Sequence, residues 1–285
     1  MTDMIANGVD QTSGQERSVT SSDALVDTSG NPISSNSTTV MPAGSTVAEI
    51  NTALTNFNIV YLAPGSYPIT LGAGSQITIP DGKTLRGLNV VDPNVTDANC
   101  ATFVYTGTAT SLSAILLSGT GWVSDLYFSC GGGTWTAVTG GNGIISASSN
   151  WCTVERIGIT GLNNGNYGIY LQKGGRVKDI RMTAGSLRIA LIKMVNGDAN
   201  RCSTVTDVIW DGSGTADLWG IHTESGSDGS IVIDNVVFDA INFAAFGIYL
   251  DGAVFSTVRN CFFSNCSLTA ANGGFINIES NLCSV

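Results

Sequence analysis

The residues in this chain best equipped for chemistry are its carboxylates, and they crowd into the later part of the sequence: Asp207, Asp211, Asp217, Glu224, Asp228, Asp234, Asp239 and Asp251. Two of them, Glu224 and Asp251, follow short runs of the same form, "GIHT" from Gly220 and "GIYL" from Gly247. If those runs are neighbouring strands, the two carboxylates share a face and stand one strand spacing apart, about 5 Å. A pair at that separation suits displacement at a sugar anomeric carbon with retention, one group as nucleophile and the other as acid. The same pair also reads as a charged surface ladder that keeps strand edges from pairing with other chains.

The remaining candidates are sparse. His222 is the single histidine and sits in "LWGIHTES", so no multi-histidine metal site exists. A lone imidazole among apolar neighbours reads as a structural histidine with one hydrogen bond. Trp122, Trp135, Trp151, Trp210 and Trp219 offer flat rings on which sugars pack. Trp210 aligns with Phe128, Phe238 and Phe263 at the ends of apolar runs and belongs to the core. Trp135, in the glycine-rich "GGGTWTAVTGG", is the better surface binding candidate. The seven cysteines form no Cys-x-x-Cys pair and no metal-ligand spacing, and they read as buried thiols. Neither a metal nor a cofactor is implied.

The elements that must position these groups are visible as a repeat. The pattern apolar-x-x-apolar-x-apolar gives "VSDLYF" from Val123, "VERIGI" from Val154, "VKDIRM" from Val177, "VTDVIW" from Val205, "IDNVVF" from Ile233 and "VRNCFF" from Val258. Subtracting the start positions gives offsets of 31, 23, 28, 28 and 25 residues. Between them runs a second pattern: "GIIS" at Gly143, "GIYL" at Gly168, "GIHT" at Gly220, "GIYL" at Gly247 and "GFIN" at Gly274, with "ALIKM" from Ala190 where another copy is due. Repeats of this length mean stacked units, and these are too short for propeller blades of about 40 residues. Short β-branched runs with glycine-rich corners predict the coils of a parallel β-helix, each pairing with the coils above and below.

The third residue of the first pattern is Asp125, Arg156, Asp179, Asp207, Asn235 and Asn260. Asn and Asp tolerate strained turns and bond to turn backbone, so this column is predicted to be a corner ladder. Upstream, "STVAEINTALTNF" from Ser45 has Thr46 and Glu49 at capping-box spacing and Val47, Ile50 and Leu54 on one stripe. That helix would cover the open end of the β core. The predicted organisation is an extended arm over residues 1–44, a capping helix over 45–57 and the parallel β-helix over 58–285. The polar arm is either a floppy terminus or a segment that orders on a partner.

Charge and composition exclude several functions. The net charge is −10 with 12 basic residues scattered along the chain, which argues against nucleic acid. Only 12% of residues are charged and 35 are glycine, as suits strands stacked without repulsion. No apolar run is long enough to insert in a membrane, and "MTDMIANGVDQ" has neither a basic nor an apolar signal region. At the far end, Phe275, Ile276, Ile278 and Leu282 form an apolar last coil with no capping helix after it.

Val60–Gly87, containing "VYLAPGSYPIT" and "ITIPDGKTLRG", resembles the entry segment of pectate-lyase-like right-handed β-helix proteins, phage tailspikes and related virion proteins among them. "VRNCFFSNC", Val258 to Cys266, resembles later coils of the same superfamily. The resemblance runs from about residue 45 to the end, and its motifs are specific for fold rather than activity. It implies an all-β, right-handed, single-stranded parallel β-helix, assembled as a homotrimer in a host cytoplasm and carried on a virion. Residues 1–44 would attach it to other virion proteins, and its surface would meet host cell-surface polysaccharide.

Hydrolase signatures of the superfamily are missing. "GIHT" lacks the second glycine of Gly-His-Gly, "RIALIK" at Arg188 breaks Arg-Ile-Lys, and no Asp-Asp pair occurs. Arg181 and Lys193 are the basic groups nearest the acidic coils. The expectation is a structural bacteriophage protein, either tailspike, fibre or capsid decoration. A polysaccharide depolymerase using Glu224 and Asp251 is the alternative, and a glycan-binding adhesin without turnover the third reading.

Overall fold

In a computed structural model the chain is described over residues 6–9, 16–19 and 38–279, apart from 73, 92–98, 110–112, 136–142, 149–150, 196–201, 217, 225–229 and 253–255. It divides into two units, Met1–Ser37 and Thr38–Val285. In the first, Ala6–Val9 and Glu16–Val19 pair antiparallel, Ala6 opposite Val19. The second is a parallel β-helix in which every described strand pairing is parallel.

Three columns of inward side chains define its interior. On the first sheet Val60, Leu85, Val123, Val154, Val177, Val205, Ile233 and Val258 lie over one another. Tyr67, Phe103, Phe128, Ile159, Met182, Trp210, Phe238 and Phe263 do so on the second. The third is isoleucine throughout: Ile77, Ile115, Ile145, Ile169, Ile192, Ile221, Ile248 and Ile276. Like shapes repeat at one strand spacing, so branched side chains nest and rings stack without leaving gaps. Tyr67 and Phe103, for example, have ring centroids 5.6 Å apart, as do Phe103 and Phe128.

The corner ladder is present, though Asn235 and Asn260 bond to carboxylates one coil earlier and not to turn backbone as expected. Asp125, Arg156, Asp179, Asp207, Asn235 and Asn260 all have positive φ, between 52° and 60°. Five residues further on in each of five coils comes a second left-handed corner, at Gly161, Ala184, Gly212, Ala240 and Asn265. Between the two corners run the strands of the second sheet, and the pair of bends sets the cross-section of the coil.

Arg156 is the costly member of the first ladder, because a left-handed conformation disfavours ordinary side chains by about 1–2 kcal/mol. Its compensation is Asp125 one coil earlier. Arg156 Nε and Nη2 donate to the two Asp125 oxygens at 2.6 and 3.0 Å, and Arg86 Nε donates at 2.7 Å from the other side. The Asp125 side chain is fully buried. Burial would raise its carboxyl pKa, but hydrogen bonds from Arg156 and Ser124 and the charges of Arg156 and Arg86 outweigh it and hold the pKa below the ordinary value.

The solenoid begins earlier than the sequence boundary at residue 44 places it. Thr38–Met41, with the β-branched run Thr38, Thr39 and Val40, pairs in parallel with Ile59–Leu62, Val40 opposite Tyr61. The helix, Val47–Asn56, follows this strand rather than preceding the whole β region. Its capping box is complete: Thr46 N–H donates to Glu49 Oε2 at 2.7 Å and Glu49 N–H to Thr46 Oγ1 at 3.3 Å. Ile50, Ala53 and Leu54 are buried against the first coil. Asn51 fixes the helix to the strand edge, donating to Gln76 O at 3.0 Å and accepting from Thr78 N–H at 2.8 Å.

Two further expectations change. The glycines of the second pattern do not all align: Gly143 faces Tyr167 and Gly274 faces Phe246, each one residue off register. Burial of the isoleucine column sets the register, and a one-residue slip would turn Ile145 and Ile276 outward. The cysteines are also not uniformly buried. Cys100, Cys130 and Cys152 are, but Cys202, just ahead of the strand Ser203–Ala216, is exposed, and Cys261 and Cys266 are half-buried because the last coils are less covered. Cys283 and Leu282 lie outside the described residues. At that end Phe263, Leu268, Ile276 and Ile278 are only partly covered, whereas Phe238, Phe243, Ile248 and Leu250, one coil earlier, are fully buried.

Two stability measurements test these assignments. Asp125→Asn is expected to cost about 3 kcal/mol, because it leaves two guanidinium groups facing a neutral amide. The folded pKa of Asp125 lies below its unfolded value, so its stabilisation is complete above pH about 4 and is lost as pH falls through the folded pKa. Thermal unfolding from pH 6 to 2 should therefore show a steeper acid limb in the wild type than in the variant. Gly212→Ala, where the added methyl group meets nothing closer than 3.8 Å, should cost about 1 kcal/mol by denaturant titration, from backbone strain alone.

Candidate functional site

The outer face of the third sheet carries the groups with chemical potential. Each strand there places its isoleucine inward and the next residue outward. The outward column is Leu116, Ser146, Tyr170, Lys193, His222, Tyr249 and Asn277. Three residues before each member, at the corner, stand Tyr167, Ala190, Trp219 and Phe246 in register. Corner and strand residues fold together within each coil: Tyr167 stacks on Tyr170 at 5.0 Å, Trp219 on His222 at 4.0 Å and Phe246 on Tyr249 at 5.2 Å. Coil to coil, His222 stacks on Tyr249 at 5.3 Å.

Lys193 interrupts this run of rings. Its Nζ lies 5.6 Å from the ring centres of both Tyr167 and Tyr170 and 2.6 Å from Glu224 Oε2. Two residues beyond the outward column, on the same face, comes a column of carboxylates. Asp251 pairs with Glu279, and Glu224 follows the Thr223–Leu250 rung immediately below Asp251. Glu279 accepts from Tyr249 Oη at 2.9 Å and from Asn277 Nδ2 at 3.1 Å. Glu224 and Asp251 therefore do share a face on consecutive coils, about 5 Å apart at one strand spacing.

His222 is buried, stacked between the rings of Trp219 and Tyr249, and among the described residues its Nδ1 and the Trp219 Nε1 have no hydrogen-bond partner. Burial lowers the His222 pKa to about 4, with the Lys193 charge acting the same way and Glu224 opposing. Burial raises Tyr167 to about 12, helped by Glu224. It does the same for Tyr249, helped by the Glu279 hydrogen bond and the Asp251 and Glu279 charges. At neutral pH the face thus presents a neutral imidazole, protonated phenols and one ion pair. General acid–base work is most efficient with a pKa near the working pH, and these groups lie well to either side of it.

The other sequence candidates separate. Asp207 accepts from Asn235 at 2.7 Å, Asp234 pairs with Arg259 at 2.8 Å, Asp239 accepts from Asn265 at 3.1 Å, and Asp211 pairs with Arg181. These are first-sheet, corner and second-sheet contacts, away from the aromatic face. Asp217 and Asp228 lie outside the described residues. Trp210 is fully buried in the core column. Trp135 closes its strand opposite Ala109, and its side chain lies outside the described part. Trp122 is partly exposed on the first sheet, with the Arg86 guanidinium 5.8 Å above its ring. Among the described residues, no group of three or more His, Cys, Asp or Glu is arranged to hold a metal, and no helix is long and apolar enough to cross a membrane.

Tyr167, Tyr170 and Tyr249 were not singled out from the sequence. The signal lay in the second pattern, where the residue after the inward isoleucine is Tyr170, Lys193, His222 or Tyr249.

No family model and no curated protein matches the chain. Among solved structures it is similar to the A-module of Azotobacter vinelandii mannuronan C-5 epimerase AlgE4, at 11% identity over 86% of this chain and 97% of that one, with a TM-score of 0.32. A likeness at that score carries no argument about activity.

The single histidine makes one prediction clean. Between pH 5.5 and 8 the imidazole Cε1 proton should show no titration inflection by NMR, because the folded pKa lies near 4. A folded-state pKa below the unfolded value also means that His222 costs stability progressively as pH falls from about 6.5. An inflection near 6.5 in the folded protein would contradict the enclosed, neutral ring.

Proposed function

We propose that this chain is a virion-surface β-helix, of tailspike, fibre or capsid-decoration type, that holds host cell-surface glycan on its third-sheet face without turning it over. The observation that carries the binding half is the column Tyr170, Lys193, His222 and Tyr249, flanked by Tyr167, Trp219 and Phe246. It spans four coils, roughly 15 Å at one strand spacing each. Rings and phenol hydroxyls in a straight row suit an extended polymer, with apolar ring edges against sugar C–H faces and hydroxyls for hydrogen bonds.

The absence of turnover is argued from the same groups. Glu224, which a retaining pair would need, has an oxygen engaged by Lys193 at 2.6 Å. His222, with a pKa of about 4, is a weak base. What supports the virion assignment is the resemblance of Val60–Gly87 to tailspike entry segments and the polar segment ahead of the solenoid. The segment ahead of the solenoid, residues 1–37, would dock on other virion proteins after assembly in the host cytoplasm, and the molecule would be a homotrimer.

One observation favours the depolymerase reading, the adjacency of Glu224 and Asp251 on consecutive rungs. Incubation with purified host capsule or lipopolysaccharide separates the two. The expected outcome is retention of polysaccharide without new reducing ends, weakened at least tenfold in Tyr170→Ala/Tyr249→Ala. Oligosaccharide release that disappears in Glu224→Gln would instead establish a depolymerase, whether hydrolase or lyase. Light scattering on the full chain should give the mass of three chains, and a monomer at micromolar concentration would remove the trimer.

A further inference from the structure

Resting on the glycan-binding reading of the third-sheet face, we propose that the face selects polymers without acidic groups and rejects those bearing uronate or phosphate. The basis is the charge placed beside the aromatic column. Glu224, Asp251 and Glu279 stand on three consecutive coils, on the same side of their strands as His222, Tyr249 and Asn277. Against three carboxylates the same columns hold one cation, Lys193, and its charge is already engaged by Glu224.

Lys193 is also enclosed. Its side chain is 12% exposed and its ammonium lies over two tyrosine rings, so little of it is left to meet an anion from solution. Glu224, at 45% exposed, is the more accessible partner of the pair. An anionic polymer lying along Tyr170, Lys193, His222 and Tyr249 would therefore meet Glu224 and Asp251 before it met the ammonium. Charges a few ångströms apart, inside the screening length of about 8 Å at physiological salt, repel each other measurably.

The hydrogen-bonding groups point the same way. Glu279 already accepts from Tyr249 and Asn277, and Tyr167 and Tyr249 stay protonated to about pH 12. Carboxylates that accept hydrogen bonds suit sugar hydroxyls and amines, which donate, and not a second carboxylate, which cannot. Discrimination of this kind is repulsion built against the wrong ligand, not extra attraction to the right one.

The test uses the full chain on an immobilised array of bacterial surface polysaccharides of known repeat structure, sorted into neutral, amine-bearing and acidic members. Wild-type binding is expected on neutral or amine-bearing members, with acidic ones at least tenfold weaker. Glu224→Gln/Asp251→Asn, which leaves Lys193 without its counter-ion, is expected to gain at least tenfold on acidic members. Wild-type binding to acidic polysaccharide that weakens with added salt would overturn the selection while leaving glycan binding intact. Binding to no member would overturn the glycan reading itself. A folded double variant that still ignores acidic members would remove the carboxylates as the cause. The wild-type comparison stands even if the variant fails to fold.

Discussion

A solenoid must bend its chain at the same place in every coil, and this one does so with a residue forced into the left-handed backbone conformation. Every later feature depends on that bend. If Asp125, Arg156, Asp179, Asp207, Asn235 and Asn260 did not share it, Val154, Val177 and Val205 would not lie over one another, and neither would Ile169, Ile192 and Ile221. The bend is unfavourable for an L-residue, so the chain meets it with side chains that bond to what lies nearby. Asn235 and Asn260 reach carboxylates one coil away, and Arg156 is held by Asp125. The ladder is both the cause of the register and a consequence of it.

That double role explains what could be read in the residues beforehand. The first corner was legible because turn chemistry restricts it to Asn, Asp and one compensated Arg. The second corner, five residues later, was not, because Gly161, Ala184, Gly212, Ala240 and Asn265 share a conformation and no side-chain chemistry. The core columns were legible where burial imposes one shape. The GIxx alignment slipped by a residue at Gly143 and Gly274 because glycine, lacking a side chain, is a poorer marker of register than the isoleucine beside it. The strand Thr38–Met41 was hidden in a polar stretch whose composition reads as an arm. Its pairing partner, Ile59–Leu62, lies across an intervening helix.

The candidate site was half legible. Glu224 and Asp251 stood out because charged residues are scarce, and they do fall on neighbouring rungs. The face they border was not visible, because its members are Tyr, Lys, His and Tyr. Such a column has no repeating residue type, only a repeating place, and the place is known only once the isoleucines are in register. Tryptophan, which is easy to notice, was a weaker guide than tyrosine: Trp210 went to the core, while Trp219 matters for the ring it covers.

Unlike the isoleucine column inside, that face repeats no single residue type. Here two consecutive rungs carry residues that each cost something. Lys193 is largely withdrawn from water and is compensated by Glu224 and two rings, and an ion pair whose carboxylate is half exposed contributes little net stability. Among the described residues neither the His222 Nδ1 nor the Trp219 Nε1 beside it has a hydrogen-bond partner, and a buried polar atom left so costs about 1–3 kcal/mol. Unpartnered buried polar atoms occur elsewhere among the described residues, at Trp210 Nε1 and Asn242 Oδ1; what sets these two rungs apart is that an enclosed cation and an enclosed imidazole stand side by side on an outer face. The same two rungs border the carboxylate column, so the proposed selection among ligands would act where the cation and the imidazole are enclosed.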